Sequence, residues 1–171
     1  MDAATQRKSE SPMKNMTNVE RTSDRELVAT RTFNGPPRIV WEAWTKADLF
    51  RRWWVPKSFG LNLLSCELDV RVGGGYKLVF AHPAGGDQTM AFFGKYLEVV
   101  PHSKIVWTNE EQGADQGNVT TVTFEEKNGQ TVLVMRELYP TKEALDANLG
   151  SHSGTAETFD QLEAVLAEPR S

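Results

Sequence analysis

Residues 31–54, RTFNGPPRIVWEAWTKADLFRRWW, hold four of the chain's five tryptophans, Trp41, Trp44, Trp53 and Trp54. Rings this large at this density have to be buried or bound. Pro36 and Pro37 can begin a helix, because the first helical turn needs no backbone donor there. Val40, Ala43 and Trp44 follow at helical spacing and give one short amphipathic helix. Thr45, with Asp48 three positions on, reads as the N-cap of a second helix that places Leu49, Phe50, Trp53 and Trp54 together. Two short helices are therefore expected to meet at Thr45, their aromatic faces forming either core or the wall of a cavity.

Upstream, residues 25–33 alternate, with Leu27, Ala29, Arg31 and Phe33 on one side, as a strand requires. Downstream, 61–70 is again strand-like, and Val72-Gly73-Gly74-Gly75 supplies a turn into a strand at 76–80, where Tyr76, Leu78 and Phe80 share a face. No Lys-Ser/Thr pair and no helix start follow these glycines, so they do not read as a phosphate loop. Turn-forming clusters at 83–87, 101–103, 112–118 and 128–129 divide the rest into strands at 89–100, 104–109, 119–126 and 130–138. Asn128-Gly129 is the strongest hairpin signal among them. Thr120, Val122 and Phe124 alternate with Thr121, Thr123 and Glu125, the pattern of a sheet covered on one face. The cover is a helix at 150–167 carrying the stripe Phe159, Leu162, Val165 and Leu166 and ending before Pro169, preceded by a short helix that Thr141 caps. The fold expected is α+β: a strand, two short helices, six further strands and a long terminal helix.

The chain has 171 residues, a formal charge of −4 and no long Lys/Arg block, which does not favour a nucleic-acid backbone as partner. No apolar run is long enough for membrane insertion or for a secretory signal. Residues 1–24 are polar and aperiodic and are expected to be a disordered tail ahead of a single domain at 25–168, with Met13 and Met16 as alternative starts. The lone Cys66 forms no internal disulfide, so a reducing cytoplasm is the simplest setting. In a strand it reads as a small core residue rather than a nucleophile. His82 and His102 stand beside prolines in expected turns, without the spacing of a zinc site, and neither a metal nor another cofactor is implied.

Phe33 to Pro36, Val40-Trp41-Glu42-Ala43-Trp44-Thr45, Arg52-Trp53-Trp54, Glu67-Leu68-Asp69-Val70-Arg71 with Gly73-Gly74, Gly94, Val99-Val100-Pro101 and Thr121-Val122-Thr123-Phe124 together resemble the domain named after the activator of the heat-shock protein 90 ATPase. That family lies within the START-like, or SRPBCC, superfamily. The resemblance implies a helix-grip fold, a curved seven-stranded antiparallel sheet wrapped around the long C-terminal helix with a hydrophobic cavity between them. In the co-chaperone a separate N-terminal domain accompanies this one, whereas a short polar tail precedes the first strand here, so ATPase activation is not expected.

Fold alone does not assign a function. The first expectation is a non-catalytic module that holds a small apolar or amphipathic molecule in the cavity, as a monomer or homodimer. A cyclase- or lyase-like enzyme using one carboxylate and one histidine in that cavity, and a protein-interaction module, are the alternatives. Candidate ligand contacts are Trp44, Trp53, Trp54, Phe80, Phe92, Tyr96 and Trp107 from the aromatic set, with Glu137, His152, Thr155 and Phe159. Glu137 falls by twos on the face of Leu133 and Met135, hence inside unless the strand bends. Family members carry Gly-Trp early in the terminal helix, and the matching positions here are Gly154 and Thr155. The missing indole implies a cavity with a polar end beside Thr155, where His152 either orients a ligand oxygen or serves the helix start.

Overall fold

Strand alternation along the chain becomes one antiparallel sheet of eight strands. The computed structural model describes residues 16–82, 87–110, 118–148 and 154–168. The strands are β1 (Asn18–Arg21), β2 (Glu26–Asn34), β3 (Leu63–Leu68), β4 (Gly75–Ala81), β5 (Thr89–Val100), β6 (Lys104–Thr108), β7 (Val119–Lys127) and β8 (Gln130–Leu138), in the spatial order β1-β2-β8-β7-β6-β5-β4-β3. Helices α1 (Pro37–Thr45) and α2 (Ala47–Phe50) follow β2, a short 3-10 turn covers Lys57–Phe59, and α3 (Lys142–Asn148) and α4 (Thr155–Ala167) follow β8.

Eight strands stand where seven were expected, and the additional one is β1. It pairs with β2 from Asn18↔Thr30 to Arg21↔Leu27, and all four of its side chains are exposed. With no buried face it leaves no alternation to read, and its main-chain bonds to β2 hold it at the sheet edge. The polar tail expected over 1–24 thus yields its last residues to the sheet, while residues 1–15 lie outside those described.

The expected cap at Thr45 is also corrected. Thr45 ends α1 and donates its Oγ1 hydrogen to the Trp41 carbonyl at 2.9 Å, while extended Lys46 (φ −101°, ψ 122°) precedes α2 without a side-chain cap. Back-bonding within its own helix competes with capping for a threonine hydroxyl, and here it wins. Thr141 does behave as expected, its Oγ1 accepting from Ala144 N at 3.0 Å ahead of α3. Asn128 and Gly129 both have positive φ, 55° and 81°, as the tight β7–β8 hairpin demands.

One hydrophobic core joins both layers. Phe159, Leu162 and Val165 of α4 pack with Phe33, Ile105, Val122 and Leu133 of the sheet and with Val40, Trp44 and Trp53 of the helical segment. Trp53 is fully buried and donates Nε1–H to the Ala43 carbonyl at 2.9 Å, which ties the end of the helical segment back onto α1. Arg31 sits among these apolar residues, as the alternation of β2 requires, at 3% exposure. Its guanidinium reaches Asp160 at 2.6 Å and Glu163 at 3.3 Å on α4, so the charge is paired rather than stranded. Strand β5 serves two neighbours: residues 89–95 pair with β4 and 96–100 with β6, with an irregularity between Tyr96 and Glu98. The sheet turns there, and the space it encloses under α4 is the site.

Candidate functional site

Register places a single row across the inner face of the sheet: Tyr96 opposite Trp107, Trp107 opposite Thr120, and Thr120 opposite Glu137. The next inner row, Ile105, Val122 and Met135, is wholly apolar. A polar row therefore borders an apolar one, and a cavity of about 280 Å³ opens over both. Its walls come from the sheet, from the start of α4 through Gly154, Thr155, Thr158 and Phe159, and from the rim segment Trp54, Val55, Pro56 and Phe59.

Polar side chains in this wall are organised by Asn109. Its Oδ1 accepts from the Tyr76 hydroxyl at 2.8 Å and from Trp107 Nε1 at 3.3 Å, and its Nδ2 donates to Thr120 Oγ1 at 3.0 Å. Glu137 Oε1 accepts from the Tyr139 hydroxyl at 3.0 Å. The rim is held by the polar side of α4. Gln161 Nε2 donates to the carbonyls of Trp53 and Val55, both at 2.9 Å, and its Oε1 accepts from Lys57 N at 2.9 Å. Glu157 accepts from Ser58 N at 3.0 Å and Ser58 Oγ at 2.5 Å.

Of the candidate residues, Trp44, Trp54, Phe80, Phe92, Tyr96, Trp107, Glu137, Thr155 and Phe159 all line this cavity. Trp53 does not; it packs behind Trp44, ring centroids 4.7 Å apart, as part of the core. His152 lies outside the described residues. Neither His82 nor His102 is among the lining residues, and His102 instead meets the edge of Trp41 at 5.9 Å. Asn109, Tyr76 and Tyr139 were missed, because a network joining strands distant in sequence leaves no local pattern. The Gln161 and Glu157 clamps were missed for the same reason.

The sequence model of the family described as "Activator of Hsp90 ATPase homolog 1-like protein" matches residues 34–167. The chain belongs to this family. Solved structures agree on the fold. A Rhodobacter sphaeroides protein superposes with a TM-score of 0.76 at 24% identity, covering 88% of this chain and 97% of its own. A Mycobacterium smegmatis protein gives 0.75 at 20% identity, covering 91% and 99%. A Chromobacterium violaceum protein gives 0.67 at 26% identity, covering 86% and 100%. No protein of curated function matches the chain. The Hsp90-activator-like family has the START-like fold, an architecture of ligand-binding domains, and no described helix here is long and apolar enough to cross a membrane.

In this member of the family burial shifts two groups of this region, Cys66 and Tyr96. Desolvation pushes the Cys66 thiol up, only partly offset by Arg51, so the thiolate needed of a nucleophile is disfavoured. Among the described residues no three His, Cys, Asp or Glu side chains cluster as metal ligands. Burial, reinforced by Cys66 and Asp69, raises the Tyr96 phenol well above the usual 10.0. A raised folded-state value means that the stability Tyr96 carries is fully present below about pH 10, where an unfolded tyrosine ionises, and is lost as pH climbs towards the folded value. In an ultraviolet titration the Tyr96 share of the phenolate absorbance is expected only as the chain unfolds in alkali, and that share disappears in Tyr96→Phe. Ionisation of Tyr96 near pH 10 in the folded chain would contradict its burial.

Proposed function

We propose that the protein binds a small apolar or amphipathic molecule in the cavity between the sheet and α4. The observation that carries this reading is the cavity itself: about 280 Å³ walled by Trp44, Trp54, Phe80, Phe92, Tyr96 and Trp107, with a polar border at Asn109 and Glu137. Apolar walls with a few placed polar groups are the common composition of small-molecule sites. Walls tied by Asn109 and a rim tied by Gln161 and Glu157 keep the space open before a ligand arrives, which lowers the ordering cost of binding.

A thermal-shift screen of small neutral and charged aromatics, read against native mass spectrometry, tests the proposal. A ligand at a hundred times its Kd adds about 2.7 kcal/mol to the folded state. For a domain of this size that is a rise in Tm of roughly 5–10 °C. The same ligand is expected to change tryptophan emission, because Trp44, Trp54 and Trp107 line the cavity. A ligand that binds by calorimetry yet leaves emission unchanged would place its site elsewhere.

A further inference from the structure

Charge in the cavity wall is one-sided. Among the described lining residues there is no Lys, Arg or His, and the one carboxylate is the half-buried Glu137. The described cations nearest to it in the chain are directed elsewhere. Arg136 alternates to the opposite face of β8, where it approaches Glu26 at 3.8 Å, and Arg25 donates to the Pro140 carbonyl at 3.2 Å. Glu137 also stands at one end of the inner row that runs through Thr120 and Trp107 to Tyr96. Neighbouring strands lie about 4.8 Å apart, so three strand spacings put about 14 Å between the two ends of that row. One end is acidic and the other aromatic.

Acceptor capacity gathers at the acidic end. Glu137 Oε1 accepts from the Tyr139 hydroxyl at 3.0 Å, and a carboxylate offers about four acceptor positions, so it can take a ligand's hydrogens alongside its protein contacts. Asn118 lines the same cavity two residues before Thr120. Its backbone carbonyl holds Asn109 N at 2.9 Å, while its side-chain amide makes no hydrogen bond to the described residues. Asn109, by contrast, is fully engaged, with Oδ1 taking Tyr76 and Trp107 and Nδ2 reaching Thr120. An anionic ligand would lose its hydration, find no described cation and face a like charge. A cation meets the opposite conditions.

We propose that the cavity selects a cationic amphipathic amine, its ammonium held by the Glu137 carboxylate with the Asn118 side-chain oxygen as second acceptor, and its apolar body lying towards Trp107, Tyr96 and Trp54. The inference rests on the binding function proposed above and goes beyond it in naming the ligand class and the residues that discriminate. An ammonium carries three donors and no acceptor, which suits an end of the wall where a carboxylate and an amide oxygen converge. Its hydrogen bonds to a carboxylate are charge-assisted and about twice as strong as neutral ones. The rings supply the contact area for the body.

Three probes of one ring size separate charge from bulk: naphthylethylamine, naphthylethanol and naphthylacetate, each titrated by calorimetry into the full chain at neutral pH, where the alkylamine is protonated. On the parent the amine is expected to bind about tenfold tighter than the alcohol, which matches its size and can donate a hydrogen bond but carries no charge. Naphthylacetate is expected to bind weakest of the three. In Glu137→Gln, which keeps the side-chain length and an acceptor for Tyr139, the amine-to-alcohol ratio falls towards one. The proposal is overturned if amine and alcohol bind the parent alike, if naphthylacetate binds tightest, or if the amine keeps its advantage in Glu137→Gln. Should that variant fail to fold, Asn118→Asp decides: a second carboxylate at the same end is expected to widen the amine's advantage severalfold, and an unchanged ratio overturns the proposal. Binding of the alcohol without a preference for the amine would leave the binding function standing and remove only this inference, whereas binding of none of the three would remove both.

Discussion

Gly94→Ala is expected to cost about 4 kcal/mol or more, a loss reserved for disruptions of packing or backbone. Against a total stability of roughly 5–15 kcal/mol that leaves the chain near its unfolding threshold. The added methyl carbon would stand 1.7 Å from the Thr108 carbonyl oxygen and 2.8 Å from Cε2 of Tyr76. Neither neighbour can step aside cheaply. Thr108 O shares the Tyr76 hydroxyl hydrogen with Asn109 Oδ1, at 3.0 Å from the hydroxyl oxygen, Thr108 Oγ1 accepts from Lys95 N at 3.0 Å, and Glu110 N donates to Phe93 O at 2.7 Å. Gly94 lies where β5 leaves β4 for β6, so the close approach is the means by which the sheet turns. Gly129→Ala is the control: nothing stands within 4 Å of its added carbon, and only its φ of 81° is strained, which costs about 1–2 kcal/mol. Denaturant midpoints compare the two. A Gly94→Ala midpoint equal to the parent's would mean that β5 and β6 do not approach as closely as described here.

The same turn shows what the sequence could and could not reveal. Strand existence followed from side chains that alternate within a few residues, as at Thr120, Val122 and Phe124, all of which are buried. The tryptophans announced their burial through density and helical spacing, and the hairpin at Asn128-Gly129 through backbone conformations few residue pairs adopt. By contrast β1 offers only main-chain pairing, with every side chain in water, and nothing in NVER marks it. Trp53 and Trp54 are adjacent, yet one is core and the other cavity wall. Their division depends on the path of the chain after Phe50, which the Gln161 amide fixes from more than a hundred residues away. Glu137 could be placed on the inner face by counting, but its neighbours Thr120 and Trp107 required the register of three strands, and a slip of one residue would have turned each outward.

Thr155→Trp is expected to weaken binding of any cavity ligand about a hundredfold or more, roughly 2.7 kcal/mol, while leaving the fold in place. Thr155 opens α4, is 8% exposed and lines the cavity beside Thr158 and Phe159. An indole is a two-ring body, large against a cavity of about 280 Å³, so it would occupy the space a ligand needs. The rim has little room to give. A Cβ on neighbouring Gly154 would already meet Pro56 at 2.7 Å and Phe59 at 2.8 Å, so the new ring is directed into the cavity rather than out through the mouth. Space already empty accepts a ring at lower cost than a packed core does, where overfilling costs about 1–3 kcal/mol, and a Tm at or above the parent's is expected. Thr155→Val separates volume from polarity: it keeps the cavity open and removes only the hydroxyl, and its ligand affinity should stay within a few-fold of the parent's. Calorimetry with a ligand recovered from the thermal-shift screen, alongside circular dichroism of each variant, reads both effects. If Thr155→Trp binds that ligand as tightly as the parent while remaining folded, the ligand does not occupy the space under the start of α4, and the proposed site is wrong.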